Sequence, residues 1–207
     1  FRLLTGKPEE AEVEYKRALD IAPDNEGLHL KLAGFYQLTG KSAEAETAYM
    51  NLAALKPKDE RPKILLGDFY TFTGQRDKAL ASYRQAVELN PASIPARDKL
   101  IDHYLVTGKL EEAEQLVRPI LEKNAQDLAG RFFTARLRLA HGKPDEAIEL
   151  LQGVIKDEPR SARAHQYLGL AFVATHDLPQ ARRELTETVK LTPHLAAART
   201  ALAAIPL

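Results

Sequence analysis

One alanine recurs at a strict interval of 34 residues: Ala11, Ala45, Ala79, Ala113, Ala147 and Ala181. A glycine keeps the same register at Gly6, Gly40, Gly74, Gly108 and Gly142, and a proline at Pro23, Pro57, Pro91, Pro159 and Pro193. Three markers sharing one period mean a tandem array of like units, none of which can bury its apolar flank alone. This constrains the fold before any residue is considered for chemistry. A stacked array presents surfaces, so function has to be argued from particular side chains.

One unit shows how the period works. Leu66, Gly67 and Tyr70 lie three and four residues apart, on one face of a helix. Thr73-Gly74 ends that helix, the glycine supplying the left-handed backbone needed just past a C-terminus. Arg76 to Leu89 is a second helix that buries Ala79, Tyr83 and Ala86, and Asn90-Pro91 stops it. The small alanine allows two antiparallel helices to approach closely. The predicted helices are 8–21, 27–39, 42–55, 61–73, 76–89, 94–107, 110–123, 128–141, 144–157, 162–175, 178–191 and 195–204. They form one array over 1–207, with full units at 26–59, 60–93, 94–127, 128–161 and 162–195 and partial ones at 1–25 and 196–207.

This unit resembles the tetratricopeptide repeat, a helix–turn–helix element with small residues, a central glycine, an alanine, an aromatic and a closing proline at fixed offsets. The resemblance spans essentially the whole chain and looks like a segment of a longer bacterial repeat protein. It implies an all-α fold, a right-handed α-solenoid superhelix whose first helices line a concave groove. It also implies a non-catalytic scaffold for protein or peptide partners.

The departures from the pattern are informative. The first-helix aromatic is Tyr36, Tyr70, Tyr104 and Phe172, but the fifth unit has Arg138 there, and Thr134 where Leu32, Leu66, Leu100 and Leu168 stand elsewhere. The preceding unit closes on Ala125 instead of proline and carries Pro119 inside its second helix, where proline costs about 3 kcal/mol in helix propensity. This is the weakest junction by pattern: drift at a tolerant position, a hinge, or an opening for a partner. His176 replaces the turn glycine of the sixth unit, which reads as strain or a changed turn.

The groove positions implied by the resemblance are two, five, nine, twelve and thirteen of each unit. They give Leu30, Gly34, Gln37 and Leu38, then Arg61, Ile64, Asp68, Thr71 and Phe72. Asp98, Asp102, Leu105 and Val106 follow, then Phe132, Arg136 and Leu139, and finally Arg163, Gln166, Leu170 and Val173. Such a groove is apolar along much of its length, acidic around Asp68, Asp98 and Asp102, and basic near Arg136 and Arg163. It suits an extended segment or an amphipathic helix. Phe72 and Phe132 are the aromatic anchors of this reading, the alternative for Phe132 being burial beside Phe133. The lysine and asparagine with which some family members grip a C-terminal carboxylate are absent. Position five is Leu30, Ile64, Asp98, Phe132 and Gln166, and position nine is Gly34, Asp68, Asp102, Arg136 and Leu170.

Position four, a tryptophan in the family pattern, holds His29, Lys63, Arg97, Arg131, His165 and Arg199. With neighbouring helices about 10 Å apart, these form either a basic track for an anionic polysaccharide or a set of local pairs with nearby acids. Bulk composition leaves nucleic acid without support, since 29 basic residues balance 29 acidic ones. Cysteine is absent, which removes disulfides and thiolate chemistry but leaves cytoplasm and periplasm equally open. The six histidines form no HxxxH or HExxH pair, and the GxSxG, GxGxxG and GxxxxGK[ST] patterns do not occur. No catalytic residue, metal or cofactor is therefore expected, and no apolar run reaches the ~18 residues of a membrane span. The chain opens on Phe1 without an initiator methionine. Phe1 to Gly6 reads as the tail of a helix already under way, the expectation being a piece of a longer protein. A structural spacer between further domains is the third functional reading.

Overall fold

The computed structural model describes residues 8–205, so the reading of Phe1 to Gly6 lies outside the described residues. Twelve helices occur among the described residues, and no strand. They are α1 (Pro8–Ile21), α2 (Glu26–Leu38), α3 (Ser42–Leu55), α4 (Glu60–Phe72), α5 (Arg76–Leu89) and α6 (Ile94–Val106), followed by α7 (Leu110–Lys123), α8 (Leu128–Ala140), α9 (Pro144–Asp157), α10 (Ala162–Ala174), α11 (Leu178–Leu191) and α12 (Ala196–Ala203). Every predicted boundary falls within one residue of these. The fold class is all-α, an α-solenoid of antiparallel helix–turn–helix repeats.

Two compact units divide the chain, Phe1–Leu100 and Ile101–Leu207, with the break inside α6. In the first, α2 pairs with α3 and α4 with α5, while α1 packs on α2 and α3 on α4. Leu32, Phe35, Tyr36, Leu52, Leu66, Phe69, Tyr70 and Tyr83 make its core. In the second, α8 pairs with α9 and α10 with α11, and α7 packs on α8, α9 on α10 and α11 on α12. Phe133, Leu137, Leu151, Leu168, Phe172 and Leu185 are buried there.

The small residues act as read from the sequence. Ala45, Ala79, Ala113, Ala147 and Ala181 are all 0% exposed. At Gly67, a Cβ would stand 2.4 Å from Tyr83 Cε1 across the α4–α5 hairpin, so only glycine admits that approach.

The turns explain where first helices end. Gly74 has φ 74, its N–H donates to Thr71 O at 3.2 Å, and Gln75 N–H donates to Tyr70 O at 2.8 Å. The hydroxyl of the capping Thr73 bonds back to Phe69 O at 3.1 Å, which closes the helix one residue short of the prediction. His176 keeps the same turn at φ 62, with His176 N–H on Val173 O at 3.1 Å and Asp177 N–H on Phe172 O at 2.9 Å. The turn is thus unchanged, and only strain remains of the two readings. Helix α7 runs through Pro119 without a break. Although the junction after it lacks the proline, side-chain caps shape it: Asn124 Oδ1 accepts from Gln126 N at 3.0 Å, and Asp127 Oδ1 from Gly130 N at 2.8 Å.

Candidate partner-binding faces

In the first unit the groove positions separate into apolar side chains left in water and polar ones fixed by neighbours. Leu30 is 41% exposed, Leu38 78% and Phe72 71%. Ile64 and Asp98 are half-buried. Gln37 accepts a hydrogen bond from the Tyr49 hydroxyl at 3.0 Å. Asp68 accepts from the Tyr83 hydroxyl at 2.7 Å and pairs with Lys99 at 2.8 Å. Burial and the Asp68 carboxylate hold the Tyr83 phenol well above the ordinary tyrosine range, which keeps it a donor.

The second unit corrects one anchor. Phe132 is buried, packed edge-on against Tyr167 at 5.4 Å and beside Phe133 at 5.9 Å. It is therefore part of the packing and not an exposed anchor. The guanidinium of Arg163 lies 4.7 Å over its ring. Arg136 is also buried, 4.9 Å from the Tyr167 ring, and pairs with Asp102. The basic and acidic poles expected of this stretch thus meet each other. Leu105, Gln166 and Leu170 are half-buried. Tyr167, absent from the sequence-derived set, completes the cluster. It stands one period after the buried Phe133, at a position held by lysine in two other units, so the spacing alone did not single it out.

Position four is not a free basic ladder. His29 Nε2 lies 2.7 Å from the Pro23 carbonyl, and His165 Nε2 makes the same contact with Pro159 at 3.1 Å. His165 is buried, with Nδ1 2.7 Å from Glu184 Oε2. Arg131 pairs with Asp157. Lys63 and Arg97 are half-buried, and Arg199 is exposed. Three of the six side chains thus serve contacts within the fold: the two histidine rings reach back to the turn before their helix, and the Arg131 stem reaches the end of α9.

A different polar device links successive hairpins. Tyr36 donates to Glu12 at 3.2 Å, and Lys41 pairs with the same carboxylate at 2.5 Å. Tyr70 donates to Glu46 at 2.8 Å, joined by Lys78 at 2.8 Å. At the fifth unit Arg138 stands in the tyrosine's place, 3.5 Å from Glu114 and 2.9 Å from Glu146. An open cleft of about 470 Å³ lies beside it between α7 and α8. Among the described residues no cluster of three or more histidines and carboxylates could hold a metal ion, and no helix is long and apolar enough to cross a membrane.

No curated protein sequence matches the chain. A tetratricopeptide repeat protein of known structure from Parabacteroides merdae is similar over 98% of this chain and 79% of its own, at 19% identity and a TM-score of 0.71. The thermophilic repeat protein TTC0263 of Thermus thermophilus is similar over 87% of this chain and 98% of its own, at 17% identity and a TM-score of 0.67. YrrB, described as a repeat protein with an unusual peptide-binding site, aligns over 90% and 96% at 16% identity and a TM-score of 0.50. The tetratricopeptide repeat family model matches residues 2–69, 73–136 and 138–205. With nearly every residue inside those three matches and the helical hairpins in register with them, the chain belongs to the tetratricopeptide repeat family.

Proposed function

We propose that this chain is a non-catalytic scaffold that holds a peptide or a partner domain against the face of its first helices. The observation carrying this reading is the exposure of Phe72, 71%, at the same repeat position as Leu38, 78%. Large apolar side chains recurring in water at one register form a patch that binding would cover. The polar groups beside them, Gln37 and Asp68, are held in place by tyrosine hydroxyls. A partner therefore meets a preorganised surface. YrrB, which shares this fold and is described by its peptide-binding site, is consistent with a peptide as the partner. An anionic-polymer track is the weaker reading, since His29, Arg131 and His165 are engaged internally.

The test is affinity capture with the chain as bait, repeated with Phe72→Ala and Leu38→Ala together. Proteins enriched by the unaltered chain are expected to be lost from the double variant while its thermal midpoint stays in place. Undiminished capture of the same proteins would remove the proposal. Phe132→Ala serves as contrast: as a buried ring its loss should cost about 3–5 kcal/mol of stability.

A further inference from the structure

Four first helices carry a leucine followed four residues later by an aromatic: Leu32 and Tyr36, Leu66 and Tyr70, Leu100 and Tyr104, Leu168 and Phe172. All eight side chains are buried, between 2% and 8% exposed. In α2 and α4 the tyrosine faces the preceding second helix, as its bond to Glu12 or Glu46 shows. At α8 the corresponding residues are Thr134 and Arg138, and the preceding helix α7 keeps its glutamate, Glu114. Arg138 reaches that carboxylate, and Thr134 turns its hydroxyl back to the Gly130 carbonyl at 2.8 Å. Neither fills the space between the helices. What remains is the cleft of about 470 Å³, with Val117, Leu121 and Leu137 among its apolar lining. It lies within the size range of pockets that hold a ligand. Close contact at Gly130, where a Cβ would stand 2.8 Å from Leu121 Cδ2, closes one end.

We propose that this cleft is a docking site for a helix of a partner protein, which inserts a leucine and an aromatic residue four apart. The chain supplies that pair itself at its other junctions, so the shape of the missing occupant is written in its own repeats. Charge gives the occupant a second requirement. Arg118 and Glu122 are exposed one helical turn apart on the α7 rim. Elsewhere the chain closes a pair at the same spacing, Glu12 with Lys16 at 2.7 Å. Arginine before glutamate is the poorer order along a helix, which leaves both side chains for an acid and a base on the incoming helix. The site is separate from the first-helix face and does not depend on it.

The probe is a stapled helical peptide with leucine and tyrosine four apart and a flanking glutamate and lysine, titrated into the methyl-labelled chain. Saturable shifts are expected at Val117, Leu121 and Leu137, weakening by at least about tenfold when the peptide's leucine and tyrosine become alanine. The double substitution Thr134→Leu with Arg138→Tyr fills the cleft and should abolish those shifts. Arg118→Glu, on an exposed rim where folding is not at stake, should weaken the peptide by about tenfold. Shifts that fail to saturate by about 1 mM peptide, or equal affinity in the filled double variant, would overturn the proposal. Equal affinity in Arg118→Glu would do the same.

Discussion

His176 stands where the four other described turns of its kind have glycine, and it holds φ 62 against their 70 to 74. A residue with a Cβ pays a steric penalty there of about 1–2 kcal/mol, partly offset because glycine is looser in the unfolded chain. His176→Gly is expected to stabilise the protein by about 0.5–1 kcal/mol, seen as a thermal midpoint higher by a few degrees. An unchanged or lower midpoint would show that the imidazole makes a compensating contact. At this scale the sequence was only partly readable. It marked position 176 as anomalous, but the persistence of the turn follows from the backbone bonds around it. Phe132 was ambiguous for a related reason. The register places it on the first-helix face, yet whether it meets water depends on Tyr167 arriving from the next unit.

Within single helices, two glycines at adjacent repeat positions of neighbouring units have opposite roles. Gly67 faces Tyr83, whose ring is fixed through its hydroxyl by Asp68 at 2.7 Å and Thr71 at 3.0 Å. Gly67→Ala should therefore overpack the α4–α5 hairpin and cost about 1–3 kcal/mol. Gly34, inside α2, would place a Cβ within 4 Å of nothing. Gly34→Ala should instead gain up to about 1 kcal/mol of helix propensity. Urea unfolding of the two variants checks the pair, and the signs should differ. Helix limits were almost fully legible because each hairpin end carries its own marker. The consistent one-residue discrepancy at first-helix ends arises because the residue before each left-handed turn position acts as the cap, a threonine at 39, 73 and 175 and His141 after α8.

Across the whole molecule, balanced charge conceals how the charges are used. Two of the three aspartates read as an acidic pole are neutralised laterally, Asp68 by Lys99 and Asp102 by Arg136. Composition gives the number of such groups, whereas their pairing depends on side-chain reach across helices. Other carboxylates lock elements together. Hydrogen bonds from Lys16 and Lys41 take Glu12 from the usual 4.5 to about 2. Glu46 is lowered by Lys78 and Tyr70, and Asp59 by Arg61. Because their folded pKa values lie below the unfolded ones, these groups stabilise the protein fully above the ordinary carboxylate range and lose that effect as acid protonates them. Stability should fall as pH drops from 4.5 toward 2, and the gap between the unaltered chain and Glu12→Gln should close over that interval. Denaturant midpoints at stepped pH measure it. The tyrosine–glutamate bonds carry one more implication. The unit of α2 and α3 brings a donor on its leading helix, Tyr36, and an acceptor on its trailing helix, Glu46. A recombination event that duplicates or excises that unit therefore rejoins donor to acceptor, so this part of the array can lengthen or shorten over generations without stranding a polar group.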